Sequence, residues 1–110
     1  MAIAHAASGD LIHAQPLGER LHEVQSYALL KSAQLELIRL VLPEGKSMKD
    51  HQVSGEITIQ CIEGIIELTT PGKTLTLQAG DLVFLAGHEP HGLKALKDAS
   101  ALLTISLTAR

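Results

Sequence analysis

The sequence of 110 residues predicts an all-β fold, a sandwich or a closed barrel, and three observations support this prediction. From residue 28 onwards, apolar residues alternate with polar ones in short runs, which is the period of a β-strand. Turn-forming residues separate these runs at intervals of about eight to twelve residues, as in sandwiches and barrels. No run in this part of the chain has a helical period, so a fold of alternating strands and helices is excluded.

Residues 1–27 are expected to form an amino-terminal arm. The first ten residues are small and have no period, which is typical of a loose chain terminus. Pro16 is suited to the first position of a short helix over residues 17–25, because the apolar residues there share one helical face. An extended arm is the alternative, and the pattern does not decide between the two.

Residues 28–110 are predicted to form one domain of about eight or nine short strands. Glycine, proline and acidic residues mark turns at residues 43–45, 63–64, 71–72 and 79–81. The predicted strands are residues 28–31, 34–42, 57–62, 65–69, 74–77, 82–85, 93–96 and 102–107.

Several predicted strands carry apolar residues on both faces, as in Leu37-Ile38 and Leu40-Val41-Leu42. In a small barrel one face of each strand fills the core and the other meets solvent. The double-sided runs therefore suggest that part of the outer face is covered, and a homodimer is the simplest cover.

The composition limits the binding partners and the cellular compartment that we expect for this protein. The formal net charge is −3 and the nine Lys and Arg residues are scattered singly, so nucleic acid is not an expected partner. Cys61 is the only cysteine, which agrees with a reducing compartment, and its apolar strand makes it an inert core residue. The start of the chain lacks the features of a signal peptide, and no apolar stretch approaches the ~20 residues of a membrane span. We expect a soluble, cytoplasmic protein with no membrane partner.

Two segments resemble the sequence motifs of the cupin family. Gly45, five further residues, His51 and a strand that ends at Glu63-Gly64 are similar to the first motif. The segment GDLVFLAGHEPH, residues 80–91, is similar to the second. The resemblance spans residues 45–95, about half of the chain. It implies the family's double-stranded β-helix, an RmlC-like jelly-roll barrel, preceded here by the arm.

The resemblance also implies where a metal ion would bind. Of the family's four ligand positions, His51 matches the first histidine and His91 matches the histidine of the second motif. Val53 replaces the family's second histidine, and Ile57 replaces its glutamate. Two of the four expected ligands are therefore present.

Glu56 is one candidate for a third ligand, because it neighbours the position of the missing glutamate. Strand alternation points Glu56 outwards if Ile57, Ile59 and Cys61 point inwards, which is the better set to bury. A bulge at residues 53–55 would reverse this arrangement.

His88 is the other candidate, three residues before His91 in a loop that can bring both imidazoles onto one metal. The alternative for His88 is an exposed turn residue. His5, His13 and His22 have no ligand spacing and are expected at the surface.

The cofactor expectation depends on that third ligand. If His88, Glu56, a partner chain or the bound molecule supplies it, the resemblance implies a divalent transition metal, Zn, Fe, Ni or Mn. Otherwise there is no cofactor, and His51 and His91 hydrogen-bond a ligand or each other.

The expected pocket suits a small, partly apolar molecule such as an acid or a diketone. It is lined by His51, His91, Val53, Ile57, Ile59, Phe84 and Leu85, and Phe84 is the only aromatic residue placed to stack on a ring. We expect a small-molecule-binding cupin, whose catalytic form would be a metal-dependent enzyme of the dioxygenase or isomerase type. The alternative is a non-catalytic, ligand-sensing or structural cupin dimer.

Overall fold

Two antiparallel sheets enclose one apolar core. A computed structural model of the chain describes residues 5–107, except for the side chains of Asp50 and His51, so the outermost residues of the predicted arm and domain lie outside the described part. Within it are a 3₁₀ helix, Gly18–Glu23, and nine strands. The strands are β1 (Tyr27–Lys31), β2 (Leu35–Leu42), β3 (Ser47–His51), β4 (Ile57–Glu63), β5 (Ile65–Thr70), β6 (Lys73–Gln78), β7 (Leu82–Leu85), β8 (His91–Ala95) and β9 (Ala99–Ser106).

The strand order is that of a jelly roll. One sheet has the order β1-β2-β9-β4-β7 and the other has the order β3-β8-β5-β6. The all-β prediction is confirmed, and each predicted strand overlaps an observed one. β3 was not predicted, because Met48 is the only apolar residue in Ser47–His51 and the segment shows no alternation.

The amino-terminal segment contains both a short helix and extended chain, the two forms that the sequence left open. The helix covers the middle of the predicted range 17–25, and the residues on either side of it are irregular or extended. Leu21, in this helix, is only 1% exposed. No helix in the described part of the chain is long and apolar enough to cross a membrane.

Strand alternation builds the core from aliphatic side chains. On β4, Ile57, Ile59 and Cys61 are buried while Thr58 and Gln60 are only half-buried, which confirms the predicted inward set. Facing residues of the other strands complete this core; they include Leu40, Leu42, Ile66, Leu68, Leu77, Leu85, Leu93, Ala95, Ala99, Ala101 and Leu103.

The arm lies over part of the outer face of the five-stranded sheet. The Ser26 hydroxyl accepts the Val41 N–H at 2.8 Å, and the carbonyl oxygen of His13 accepts a hydrogen bond from Arg39 at 3.4 Å. Val41 is 1% exposed within a single chain. Val41, the outward apolar residue of β2 at this point, is therefore buried within the single chain.

Candidate functional site

β3 and β8 bring the two motif histidine positions together. His51 and His91 are register partners in this antiparallel pair, after an irregularity that follows the Met48–Leu93 pair. Directly opposite residues of an antiparallel pair have Cα atoms about 4.5–5.5 Å apart and lie on the same face of the sheet. The structure thus places positions 51 and 91 side by side; the side chain of His51 lies outside what it describes.

His91 is an inward-facing, buried imidazole. It is 2% exposed and shares its face of β8 with the core residues Leu93 and Ala95, whereas Lys94 is exposed. Nδ1 of His91 lies 3.0 Å from the carbonyl oxygen of Glu89. Since a carbonyl only accepts, Nδ1 carries the hydrogen, and in the neutral ring the lone pair resides on Nε2. A backbone carbonyl that fixes the ring in this way is typical of histidines that bind a metal or accept a proton through Nε2.

The loops before β4 and before β8 lie against each other. The His88 N–H donates to the carbonyl oxygen of Val53 at 2.7 Å, and a Cβ on Gly87 would overlap the carbonyl oxygen of Ser54. His88 has φ of 64°, a conformation uncommon for a residue with a side chain, and its side chain is exposed. The contact fixes the two motif loops relative to each other.

The candidate carboxylate does not point inwards. Glu56 is exposed, while its neighbour Ile57 is 3% exposed and part of the core. The alternative in which a bulge re-aims Glu56 is therefore wrong, because the better apolar set of β4 takes the interior. Among the described side chains, no three of the His, Cys, Asp and Glu residues come together in a group able to hold a metal ion.

The predicted lining residues separate into two groups. Ile57, Ile59 and Leu85 are buried in the core, and Val53 packs against it. Phe84 is 59% exposed, so its predicted place in the pocket is wrong. Adjacent residues of a strand face opposite sides, and the buried Leu85 sends Phe84 outwards.

A polar cluster under the arm was not predicted. Arg39 is 2% exposed; its Nη1 lies 3.4 Å from the Ser100 hydroxyl, and its Nε is buried with no hydrogen-bond partner among the described residues. The Glu63 carboxylate accepts the Ser100 hydroxyl and the N–H groups of Leu17 and Gly18, the latter two at 2.8 and 3.0 Å. The sequence did not predict that Arg39 on β2 is buried, because no pattern in it showed that the arm would lie over this residue.

The pKa of Glu63 reflects two opposing effects. Burial raises this pKa, but the hydrogen bonds from Leu17, Ser100 and Gly18, together with the charge of Arg39, outweigh burial and lower it overall. The carboxylate is thereby held ionised. Because its partners belong to the arm and to β9, the cluster fastens the arm to the sheet.

A second carboxylate also contacts the arm. Asp98 accepts the Glu44 N–H at 2.8 Å, and its other oxygen lies 2.7 Å from Nε2 of His22. The hydrogen bond from Glu44, followed by the one with His22, lowers the pKa of Asp98. His22 is thus an exposed residue with a structural contact.

A separate cleft of about 370 Å³ lies between the arm and β1. His5, Asp10, His13 and Leu29 are among its lining residues, and none of its lining residues belongs to β3 or β8. It is therefore distinct from the position of His91.

The comparisons with known proteins agree with this architecture. The model of the Cupin domain family matches residues 38–107. No sequence among the curated proteins matches this chain. A cupin superfamily protein (DSY2733) from Desulfitobacterium hafniense has a similar structure, with a TM-score of 0.75 and 17% identity over 92% of this chain and 98% of that one.

Two further solved structures are similar. The conserved SPY1581 protein of unknown function from Streptococcus pyogenes gives a TM-score of 0.74 at 19% identity and covers 96% of each chain. A mutant of salicylate 1,2-dioxygenase from Pseudoaminobacter salicylatoxidans gives 0.68 at 17% identity, over 73% of this chain and 25% of that one. At such identities the likeness concerns the fold alone.

Proposed function

The chain belongs to the cupin family, and from that premise we propose that it binds a small, partly apolar molecule at His51 and His91. The observation that carries the proposal is the cross-strand pairing of these two positions on β3 and β8. Both positions lie in the motif segments, and the loops that lead out of β3 and into β8 contact each other at Val53 and His88. The buried imidazole of His91 and a second histidine at the position opposite it would supply a polar pair next to a largely aliphatic core.

The chemistry of the pair suggests the class of ligand. Nε2 of His91 carries a lone pair that accepts a hydrogen bond from a hydroxyl or an acid, and a protonated imidazole donates to a carboxylate. The apolar core, which includes Ile57 and also Leu93 on the same strand as His91, favours an apolar remainder of the ligand. We therefore propose a small carboxylic acid or a diketone in its enol form, rather than a large molecule with several rings.

The described residues do not fit the four-ligand metal centre that the family motifs imply. Ile57 is buried at the position of the glutamate, Val53 is an aliphatic residue at the position of the second histidine, and no described group of three ligands exists. The proposal accordingly does not depend on a metal. Its alternative form is a weakly held divalent ion, Zn, Fe, Ni or Mn, bound by His51, His91 and the ligand itself.

Two roles are compatible with such a site. The enzyme role is supported by the fold shared with salicylate 1,2-dioxygenase, of which this chain covers only 25%. The sensing or structural role is supported by the replacement of two of the four motif ligands by Val53 and Ile57. We propose binding as the function common to both roles.

Elemental analysis and thermal shift test this proposal together. Untagged protein, purified without chelator, is analysed for metals and then screened against small acids and diketones, alongside His51→Ala, His91→Ala and the arm control His13→Ala. The expected result is a ligand that raises the melting temperature of the wild type and the control but not of the two site variants. Near-stoichiometric metal that is lost in both site variants would establish the alternative form. Neither a ligand effect nor metal, or a ligand effect that survives both substitutions, would overturn the proposal.

A further inference from the structure

The loop that precedes β8 contains a turn with an uncommon backbone conformation. The Glu89 N–H donates to the carbonyl oxygen of Ala86 at 3.3 Å, which closes a β-turn over residues 86–89. His88, the third residue of this turn, has φ of 64° and is the only residue other than glycine with positive φ in the described part of the chain. Positive φ at the third residue, with Gly87 outside that region, is the form of a type II turn, which favours glycine or asparagine at the third position.

The glycine of this turn occupies the second position instead of the third. Gly87 lies against the loop before β4, and a Cβ at residue 87 would overlap the carbonyl oxygen of Ser54. This contact excludes a side chain at residue 87, and the positive φ at residue 88 falls on a histidine. The turn is therefore strained in the conformation that the structure shows.

One hydrogen bond from the neighbouring loop holds the strained conformation. The His88 N–H donates to the carbonyl oxygen of Val53 at 2.7 Å. This N–H belongs to the central peptide of the turn, the one that joins Gly87 to His88. Type I and type II turns differ mainly by a rotation of this peptide, and the third residue of a type I turn has φ of about −90°. The rotation would relieve the positive φ of His88 and would also break its hydrogen bond to Val53.

The two loops meet at the end of the barrel where His91 lies. Residues 52–56 follow β3, which ends at His51, and residues 86–90 lead into β8, which begins at His91. With these loops in contact, His91 is only 2% exposed. A molecule from solvent does not reach the His91 imidazole in this conformation, so this end of the barrel has to open before His91 can bind a ligand.

We propose that the turn over residues 86–89 controls access to His91. The hydrogen bond between Val53 and His88 keeps the two loops together, and rotation of the central peptide separates them. Relief of the backbone strain at His88 offsets part of the lost hydrogen bond, so the open form is accessible from the closed one. The inference rests on the proposed function, and it adds the element that admits a small molecule to the site.

Carbethoxylation of His91 by diethyl pyrocarbonate measures this access without any ligand. The reagent attacks the lone pair of a neutral imidazole, so it modifies only a histidine that it can reach. Mass spectrometry of the digested protein gives the rate at His91, and the exposed His13 is the internal reference for the reagent. The rates are compared at constant pH in the wild type, His88→Gly and His88→Val.

The two substitutions of His88 should have opposite effects. Glycine accepts positive φ without strain, so His88→Gly should favour the closed turn and slow the modification of His91 by about fivefold or more. Valine is β-branched and strongly disfavoured at positive φ, so His88→Val should favour the rotated peptide and accelerate the modification by about the same factor.

Gly80→Val is the matched control. It places the same residue at positive φ, 95°, in the turn before β7, where a Cβ meets nothing within 4 Å. Since β7 separates this turn from the loop over residues 86–90, the control lies at the opposite end of the barrel. The rate at His91 should be the same in Gly80→Val as in the wild type.

Equal rates at His91 in the wild type and both His88 variants would overturn the inference. An acceleration by Gly80→Val as large as that by His88→Val would also overturn it, because a general loss of stability would then explain both. Circular dichroism verifies that each variant folds, and if His88→Val does not fold, His88→Gly still decides. The reagent replaces the ligand in this experiment, so a failure of the ligand screen and a failure of this inference are distinguishable.

Discussion

Ser100 on β9 donates its hydroxyl hydrogen to the carboxylate of Glu63 at the end of β4. The same carboxylate accepts two backbone N–H groups from the start of the 3₁₀ helix, at Leu17 and Gly18. One side chain therefore connects two adjacent strands of the sheet, β4 and β9, to the arm. The buried guanidinium of Arg39 contacts the same hydroxyl and gains a nearby opposite charge.

Glu63→Ala should lower the free energy of unfolding by about 2 kcal/mol, because it removes hydrogen bonds to a charged group and leaves Arg39 without a nearby anion. Urea denaturation at neutral pH measures the change. Glu67→Ala is the control, since Glu67 lies half-buried on the outer face of the other sheet, and it should cost less than about 1 kcal/mol. Equal effects of the two substitutions would show that the cluster does not fasten the arm.

The stabilising effect of Glu63 should depend on pH. Its pKa is lowered in the folded protein relative to the ordinary value of 4.5, so its contribution is present above that value and is lost as the pH falls through the folded pKa. The difference in unfolding free energy between the wild type and Glu63→Gln should therefore be constant near neutral pH and shrink in acid below about 4.5. Urea denaturation at intervals from about pH 7 to about pH 3 gives the profile.

The control for this profile is Asp98→Asn. The pKa of Asp98 is also lowered, by the Glu44 N–H and His22, so Asp98 causes part of the stability that the wild type loses in acid. The other part, which Glu63 causes, is absent from Glu63→Gln and should still be present in Asp98→Asn. A difference between wild type and Glu63→Gln that stays the same down to about pH 3 would contradict the lowered pKa of Glu63.

The sequence was informative where local pattern and final environment coincide. The alternation of Ile57, Ile59 and Cys61 identified the inward face of β4, because burial of one face dictates that period. The same rule assigns Phe84 to the outside once Leu85 is inside, although Phe84 was expected in the pocket because its ring can stack on a ligand.

The features that the sequence did not predict, β3 and the burial of Arg39, depend on contacts between segments that are distant in the chain. β3 forms by pairing with β8, and its own sequence carries no strand signal. Arg39 is buried because the arm lies over it, at a sequence separation of 26 residues from its contact at His13. Contacts of this kind are determined by tertiary packing, which hydrophobic period does not encode.

Gly64→Ala should be far more damaging than Gly72→Ala, although both glycines have positive φ, 79° and 75°. A Cβ at position 64 would overlap the carbonyl oxygen of Asp98 and Cβ of Ala99, whereas a Cβ at position 72 meets nothing within 4 Å. Gly72→Ala carries only the backbone penalty of about 1–2 kcal/mol. Gly64→Ala adds a steric clash with the backbone, so we expect a loss of more than about 3 kcal/mol or no folded protein. Urea denaturation of the two variants, compared with the wild type, makes the measurement, and similar losses would mean that β9 moves away at little cost.

His91→Asn separates the structural role of His91 from its proposed binding role. The asparagine amide retains an N–H that can donate to the Glu89 carbonyl in place of Nδ1, but it has no atom at the position of Nε2. The unfolding free energy should therefore fall less in His91→Asn than in His91→Ala, which also removes that N–H. Binding of Zn²⁺ alone, which two imidazoles without a carboxylate should hold with a Kd of about 0.1 mM, should be lost in this variant. Isothermal titration of the wild type, His91→Asn and the exposed arm control His13→Asn measures the affinities.

Unchanged zinc affinity in His91→Asn would place the ion elsewhere, and a nanomolar Kd in the wild type would contradict a site made of only two imidazoles.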